Sequence, residues 1–487
     1  HLQMRRSGIE AIIDSAGKEG GEEHIDPVLS EKLLATAVAA LQEIAADDES
    51  ANTIAQQGAL RMLNVVATYA SDIALRTKAI ITICNMLSTG DLETLMGKVA
   101  DDMRAALDVL VLLHQEIVEY DLPTSGYIAT AMHNLSCTVS GRQMMQHVGE
   151  GILQSVSWIA RQLEKQPLIL ADPIVVLCAG TLFNLSCNEA TARLLMHRRW
   201  IRSVIDIMKQ SRMSRVDELC IATLHNLSKG YKKAGSAYAG EGALEELIEL
   251  ATNDEEPEAQ ELALTTLCIL TVEPENVNAM VRRGLIRALV TASYQHRLAE
   301  MATIGLNNLA AYDHGKLIGQ LIEENAVDIL IDHVANKDPA IRGNSVIAVC
   351  HLACCCSTTL DPKLGNHCMA MMIRHGAVEA LLLAGFVRSS NDTKAAQEAC
   401  CKGLYALLAS AAQAGNTEHL ATWQVVRASV AMLEHGKEIR DIATILLSNI
   451  SCLDDGRSLF TGMGFESLNE VALAKVSTPP TLEVRKR

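Results

Sequence analysis

The residues most suggestive of chemistry lie in one cysteine-rich segment, VCHLACCCSTTLDPKLGNHCM. Cys350 and Cys354 are four residues apart with His351 between them, and His367 and Cys368 follow. Thiolate and imidazole side chains at helical spacing can ligate zinc. The same segment fits an apolar helix in which cysteine takes the place of a small buried residue. A metal- or thiol-dependent protein using the Cys350 cluster is therefore one alternative, and a buried helix is the favoured interpretation.

Catalytic motifs are not found in the sequence. It contains no Walker loop, no G-x-S-x-G elbow, no H-E-x-x-H pair and no dinucleotide-binding fingerprint. We therefore expect no enzymatic activity, no cofactor and no bound metal.

A short motif recurs along the chain. The segment ATLHNLSKG, which begins at Ala222, has close relatives in AMHNLSCT, LFNLSCNE, LNNLAAY and LLSNISCL. The copies are separated by 39 to 55 residues, with a base step of about 42. The residues at the Asn position are, in order, Glu43, Asn85, Asn134, Asn184, Asn226, Ile269, Asn308, His351, Ala406 and Asn449.

Each repeat has the same internal pattern. In GEGALEELIELATNDEEPEAQELALTTLCILTV, which begins at Gly240, a glycine-bounded turn precedes a helix with apolar residues at spacings of three and four. A polar loop with Pro257 and a long apolar helix follow. Because aromatic residues make up only 3% of the chain, the core must consist of aliphatic side chains. The sequence predicts an all-α repeat fold.

This pattern resembles the armadillo repeat family over about residues 31 to 475. The resemblance implies a right-handed α-solenoid of about ten three-helix repeats, whose third helices line a concave groove for extended segments of partner proteins. Residues 1–30 are expected to form an N-terminal cap, and residues 476–487 a polar tail. Extra residues at 90–125, 160–175 and 355–370 are expected to form loops at one edge.

The asparagines of the motif are the candidate binding residues. Leu224 and Leu227 share a helical face and should pack inward, whereas Asn226 lies off that face. An outward amide offers both an acceptor and donors to a peptide backbone. The alternative is that each Asn ends its helix or bonds a neighbouring loop. The predicted groove residues are Asn85, Asn134, Asn184, Asn226, Asn308, Asn449, Arg215 and Lys229.

Two known ligand classes of the family are not favoured. The positions where importin alpha carries a tryptophan array are here Ile81, Thr130, Gly180, Ala222, Ile304 and Ile445. Beta-catenin has lysines at some of the Asn positions, and this chain has none there. A transport adaptor for cargo remains an alternative function, and the missing tryptophans count against it.

The charge distribution bears on partners. The net charge of -16 disfavours nucleic acid and acidic membrane surfaces. Residues 241–261 carry nine acidic side chains and no basic one, whereas residues 193–233 are rich in lysine and arginine. One interpretation is that these charges lie on solvated outer faces. The other is that Arg215 and Lys229 add a positively charged layer, here called the basic step, to the groove beside Asn226.

The compartment is inferred from the cysteines and the apolar segments. No apolar run reaches the about 18 residues of a membrane span, and the segment HLQMRRSGIE lacks the apolar stretch of a secretory signal. We expect the 14 cysteines to be free thiols in a reducing compartment. The expected function is a non-enzymatic scaffold within a larger cytoplasmic or cytoskeletal assembly, including a ciliary one. Because the chain begins at His1, we expect it to be processed or part of a longer protein.

Overall fold

A computed structural model of the chain describes residues 27–88, 92–117, 122–163, 168–211, 213–231, 234–358 and 362–382, and shorter stretches between 384 and 462. All regular structure in this described part is helical, which confirms the all-α prediction. The first and last expected segments fall mostly outside it, because residues 1–26 and 463–487 are not among the described residues.

The helices are short and follow one another closely. In chain order they are α1 (Pro27–Ile44), α2 (Asp48–Gln56), α3 (Ala59–Tyr69), α4 (Ile73–Leu87), α5 (Leu92–Ile117), α6 (Leu122–Cys137), α7 (Val139–Val148), α8 (Glu150–Leu163), α9 (Leu168–Ser186), α10 (Glu189–Leu195), α11 (Arg198–Gln210), α12 (Ser214–Gly230), α13 (Ala234–Glu241), α14 (Ala243–Thr252), α15 (Pro257–Leu270), α16 (Pro274–Val281), α17 (Leu285–Ser293), α18 (Ala299–Ala311), α19 (Ile318–Glu323), α20 (Ala326–Val334), α21 (Pro339–Thr358), α22 (Pro362–Arg374), α23 (Ala377–Leu382), α24 (Lys437–Ser451) and α25 (Asp454–Gly462).

The helices group into units of three, as the repeat pattern predicts. In the unit α10–α11–α12, a short first helix leads into an amphipathic second helix, and the third helix carries the motif. Leu224 and Leu227 of α12 are fully buried, whereas Asn226 is half-buried. The third helices α1, α4, α6, α9 and α12 pack against one another in that order. The three-helix repeat therefore follows directly from the apolar spacing.

In five of the described repeats, the turn between the first and second helices has a left-handed backbone. Gly58, Gly242, Gly284 and Gly376 occupy this turn with φ between 81° and 95°. Asn325 occupies the equivalent turn before α20 with φ of 58°. Residues with a Cβ, apart from asparagine, rarely adopt this conformation because the Cβ approaches the carbonyl oxygen, whereas glycine has no Cβ.

Substitutions at this turn should change stability in opposite directions. Gly284→Ala should destabilise the protein by about 1 to 2 kcal/mol, because alanine at positive φ is strained. Strain is the only cost, since a Cβ at Gly284 would meet nothing within 4 Å. Asn325→Gly should stabilise it by about 0.5 kcal/mol. Urea unfolding of both variants measures the difference, and equal midpoints would contradict the turn assignment.

The extra residues in three repeats form helix rather than loops, where the structure describes them. Within 90–125, residues 92–117 form α5, which consists of two helical stretches joined at a kink at Val99, where φ is -132°. Residues 168–175 belong to α9, and 362–370 belong to α22. The expectation of edge loops was therefore wrong for these stretches, because their apolar residues are spaced to pack along a helix.

The described residues divide into two compact units. Unit 1 extends to Leu247 and includes Glu255–Leu262, and unit 2 comprises Ile248–Asp254 and the chain from Ala263 onward. The third helices α4 to α12 lie in unit 1, whereas α18, α21 and α24 lie in unit 2.

Helix α21 contains the one described stretch that is long and apolar enough to cross a membrane. It extends from Pro339 to Cys356, with a mean hydropathy of 1.3, and 56% of it is buried inside the structure. The sequence pattern did not predict this stretch, since it includes Arg342. Because α21 packs against α18, α20 and α22, its apolar composition is that of a core helix.

The core is aliphatic, as the composition predicts. Trp200 is buried and Trp158 is half-buried, in agreement with a space-filling role, and Trp423 lies outside the described residues. The largest fully buried side chain is Tyr238 of α13. Its hydroxyl donates to the carbonyl oxygen of Leu224 at 2.7 Å, and Ser228 Oγ donates to the same oxygen at 2.8 Å, so a first helix is tied to the preceding third helix.

Candidate protein-binding face

Four motif asparagines lie on neighbouring helices of unit 1. Asn85, Asn134, Asn184 and Asn226 belong to α4, α6, α9 and α12, and each is half-buried. Because these helices pack side by side in that order, the four amides lie on successive layers of one surface. We call this surface, formed by α4, α6, α9 and α12, the third-helix face.

A hydrogen bond joins each of two asparagines to the layer before it. Asn184 Nδ2 donates to Ser136 Oγ at 3.0 Å, and Asn226 Nδ2 donates to Ser186 Oγ at 3.0 Å. Ser136 Oγ in turn donates to the carbonyl oxygen of His133 at 2.6 Å. The asparagine of one N-L-S motif is thus held by the serine of the preceding motif.

The same arrangement occurs in unit 2. Asn308 Nδ2 donates to Thr271 Oγ1 at 2.9 Å, and Thr271 Oγ1 donates to the carbonyl oxygen of Cys268 at 2.6 Å. Ile269 interrupts the series of amides, but its repeat still supplies the hydroxyl acceptor. Asn449 lies on α24, and its side chain is outside the described residues.

These bonds use part of each amide. A carboxamide has two N–H donors and one acceptor oxygen, and one donor is committed to the preceding layer. No further side-chain hydrogen bond is found for Asn184 or Asn226 among the described residues, apart from sulfur contacts. One N–H of each amide thus bonds the preceding third helix and not a neighbouring loop, and the acceptor oxygen remains available.

Asn85 and Asn134 differ from the others. The residues that would supply their hydroxyl acceptor are Ala45 and Leu87, which have none. Within the part of the chain that the structure describes, neither asparagine makes a side-chain hydrogen bond. Their amides are less constrained than those of Asn184 and Asn226.

His133 covers the position one turn before Asn184. A Cβ at Gly180 would lie 2.8 Å from His133 Cε1, so the imidazole ring rests against the glycine. Burial lowers the pKa of His133, and the ring is neutral at pH 7. The imidazole of one layer thus occupies the place where a tryptophan of the next layer would stand, and a larger residue at position 180 would displace the ring.

Two exposed cysteines border the asparagines. Cys137 Sγ lies 3.4 Å from Asn184 Nδ2, and Cys187 Sγ lies 3.5 Å from Asn226 Nδ2. Sequence analysis did not single out these thiols or the serines beside them. The only signal was that both follow the Ser of an N-L-S motif, and the contacts themselves join residues 47 and 39 positions apart.

Comparison with known proteins identifies the fold. The sequence matches no protein-family model and no curated protein. The structure is similar to an engineered protein of the Northeast Structural Genomics Consortium, with 17% identity, a TM-score of 0.52 and coverage of 91% of this chain and 98% of that chain. The fold is of the armadillo repeat type.

Two other similar structures carry that name. One is a designed armadillo repeat protein in complex with the peptide (KR)4, with 16% identity, a TM-score of 0.41 and coverage of 52% of this chain and 99% of that chain. The other is described as computationally designed armadillo repeat proteins for modular peptide recognition, with 17% identity, a TM-score of 0.43, and coverage of 52% and 99%.

The predicted basic step of this armadillo-type face is only partly present. Arg215 Nη1 lies 2.8 Å from Glu218 Oε2, so its charge is paired within its own helix. Lys229 is exposed at the end of α12, and no ion pair is found for it among the described residues. Lys229 is therefore the more accessible of the two cations, and Arg215 lies in the first turn of α12, eleven residues before Asn226, so it is not part of a basic step there.

Most of the described cations in the basic region 193–233 form ion pairs with nearby carboxylates. Arg193 contacts Glu189 at 2.5 Å, Arg202 contacts Asp206 at 2.9 Å, and Lys209 contacts Glu246. The side chains of Arg198 and Arg199 and the residues Arg212, Lys232 and Lys233 lie outside the described part. The described pairs support the interpretation as a solvated outer surface.

The acidic stretch affects one carboxyl group in α12. The pKa of Asp217 is raised to about 7, first by burial and then by the charges of Glu256 and Glu246. Lys209 also faces this group through its contact with Glu246. The folded protein therefore holds a proton on Asp217 in a pH range where the unfolded chain has released it.

Asp217 should make stability depend on pH. Between about pH 4 and pH 7 the folded state binds more protons, so the free energy of unfolding should fall as pH rises and level off above pH 7. Because the side chain is half-exposed, we expect Asp217→Asn to gain only about 1 kcal/mol at pH 8 and nothing at pH 4. Melting curves at both pH values measure this, and an equal gain at both would contradict the assignment.

The Cys350 cluster does not assemble into a metal site among the described residues. Hydrogen bonding to Cys400 and burial raise the pKa of Cys350, and a hydrogen bond with Cys368 raises that of Cys356. The buried thiols are thus divided between two pairs, and His351 and His367 are exposed. Within the described residues, no group of three or more potential ligands could hold a metal ion.

Proposed function

We propose that the protein is a non-enzymatic scaffold that binds an extended segment of a partner protein across the third-helix face of unit 1. Asn134, Asn184 and Asn226 hold the backbone of that segment, and Asn85 extends the row. Consecutive layers about 10 Å apart match about three extended residues of about 3.3 Å each, so each layer can hold every third residue.

The observation that carries this proposal is the orientation of the amides. The bonds from Asn184 and Asn226 to Ser136 and Ser186 fix each amide on the same side of its helix. A fixed amide loses little side-chain entropy when it binds, so its acceptor oxygen is better placed for a backbone N–H of the peptide. This pre-organisation repeats at two consecutive layers. A row of amides that binds one peptide backbone, which we call the ladder, requires such repetition.

The side chains of the partner should be uncharged at the central layers. Helix α6 from Leu122 to Cys137 and the stretch 173–186 of α9 contain no charged residue. Tyr127 is exposed on α6, and His133 and Phe183 are half-buried next to the asparagines. These groups favour apolar and aromatic side chains, whereas a lysine-rich cargo would find no carboxylate there. The transport-adaptor alternative is thus disfavoured.

The cellular setting is part of the proposal. All cysteines that the structure describes are free thiols, and free thiols in this number suit a reducing compartment. We propose a cytoplasmic or cytoskeletal assembly as the setting, with protein partners and no nucleic acid. Imaging of the tagged protein tests the compartment separately from the binding.

Photo-crosslinking tests the binding face. A neutral peptide of about twelve residues, long enough for about four layers, is selected by display on the whole chain. A photoreactive residue replaces Lys78 or Thr130 on the third-helix face, or the exposed Val65 or Leu112 on second helices. Crosslinks from the first pair only are expected. Crosslinks from the second pair only would show that the partner binds elsewhere.

A further inference from the structure

Two thiols on the third-helix face are accessible and equivalently placed. Cys137 and Cys187 each follow the Ser of an N-L-S motif, and both are exposed. Each sulfur lies beside the asparagine of the next layer, at 3.4 Å and 3.5 Å. A group attached to either sulfur would therefore stand next to an amide of the proposed ladder.

Most other described cysteines are not accessible in this way. Cys84, Cys178, Cys220 and Cys268 are fully buried, and burial raises their thiol pKa. Cys452 is the exception, since it is exposed and occupies the same motif position. It belongs to unit 2 and not to the four helices that form the third-helix face, and so it provides a matched control thiol.

Cys137 and Cys187 differ in their nearest neighbours. His133 Nε2 lies 3.8 Å from Cys137 Sγ and can take up the thiol proton. Cys187 has Phe183 at the corresponding position, and its thiol donates to the carbonyl oxygen of Phe183 at 3.4 Å. An imidazole nitrogen at this distance can accept the proton as the Cys137 sulfur attacks, whereas the Cys187 proton is held by a carbonyl oxygen, which is a much weaker base. Cys137 should be the more reactive of the two.

We propose that Cys137 and Cys187 form a modification site for small disulfides of the glutathione class, and that this modification closes the third-helix face to the partner segment. The second part of this inference rests on the proposed function. The two thiols, the ladder amides and His133 together define the site.

The reaction is a thiol–disulfide exchange. The sulfur of Cys137 attacks one sulfur of glutathione disulfide, a new S–S bond forms, and the original S–S bond breaks. The second glutathione leaves as a thiolate, which takes a proton, and the proton of Cys137 passes to His133 or water. The disulfide is the oxidant, so one glutathione is released for each cysteine modified.

The effect on binding should be reciprocal. An adduct of tripeptide size on Cys137 would cover the amide of Asn184, because sulfur and amide nitrogen are already in contact. If the adduct excludes the partner segment, then the bound segment must slow formation of the adduct. Peptide binding and thiol modification should thus be mutually exclusive.

The test treats the whole chain with glutathione disulfide and locates adducts by mass spectrometry. Cys137 should be modified about 5-fold or more faster than Cys187. The selected neutral peptide should slow modification of Cys137 and Cys187 but not of Cys452. The modified protein should bind the peptide at least about 10-fold more weakly than the unmodified protein. In the variant Cys137→Ser/Cys187→Ser, the disulfide should no longer change the affinity for the peptide.

Each of the other outcomes contradicts a different part of this inference. If Cys452 is modified while Cys137 and Cys187 are not, the modification site is wrong, whatever the peptide does. If both are modified but peptide binding is unchanged, the closure of the face is wrong. In that case, the crosslinks from Lys78 and Thr130 decide whether the proposed function still stands.

Discussion

The variant Leu227→Asp is expected to lose most of the stability of unit 1. Leu227 is fully buried on α12, next in sequence to the half-buried Asn226 and three residues before the helix ends. The substitution removes a buried apolar side chain and places a carboxylate in its position without a partner. We expect a loss on the order of 4 kcal/mol, which is a large part of the stability of an ordinary domain.

Lys229→Asp is the matched control for this variant. It places the same side chain two residues further along α12, at an exposed position, and should change stability by about 0.5 kcal/mol or less. Urea unfolding followed by circular dichroism measures both variants. The loss in Leu227→Asp should be smaller at pH 4 than at pH 8, because the buried carboxyl can then be protonated. Unchanged unfolding would contradict the repeat alignment.

The variant Asn134→Ala/Asn184→Ala/Asn226→Ala is expected to bind the selected peptide at least 10-fold more weakly than the wild type. It removes several hydrogen bonds to the peptide backbone at about 1 kcal/mol each, so the loss should be about 2 to 4 kcal/mol. It also removes the two bonds to Ser136 and Ser186, and stability should therefore fall by about 1 kcal/mol for each. Titration with labelled peptide and urea unfolding measure the two effects.

Ser136→Ala/Ser186→Ala separates the two roles of the asparagines. This control removes the same two interlayer bonds but keeps all three amides, so it should lose similar stability and much less affinity. If the control loses as much affinity as the asparagine variant, the amides hold the layers together and do not contact the peptide. Normal binding by the asparagine variant would exclude the ladder.

The sequence by itself determined the repeat and its inward face. The spacing of Leu224 and Leu227 predicted burial, and the glycine before several second helices, such as Gly242, predicted the turn, because both depend on residues close together in the chain. Asn226 was likewise predicted to lie outside the core. The expectation of a loop failed for residues 92–117, where the chain forms the two helical stretches of α5 on either side of Val99.

Only the tertiary structure decided which side chains meet between layers. Asn184 and Ser136 are 48 residues apart, and Asn226 and Ser186 are 40 apart, so no local pattern could predict their hydrogen bonds. The position of His133 against Gly180 depends in the same way on how α6 and α9 pack. The repeated sequence sets each helix separately, whereas the register between neighbouring helices fixes the amides, thiols and imidazole on one face.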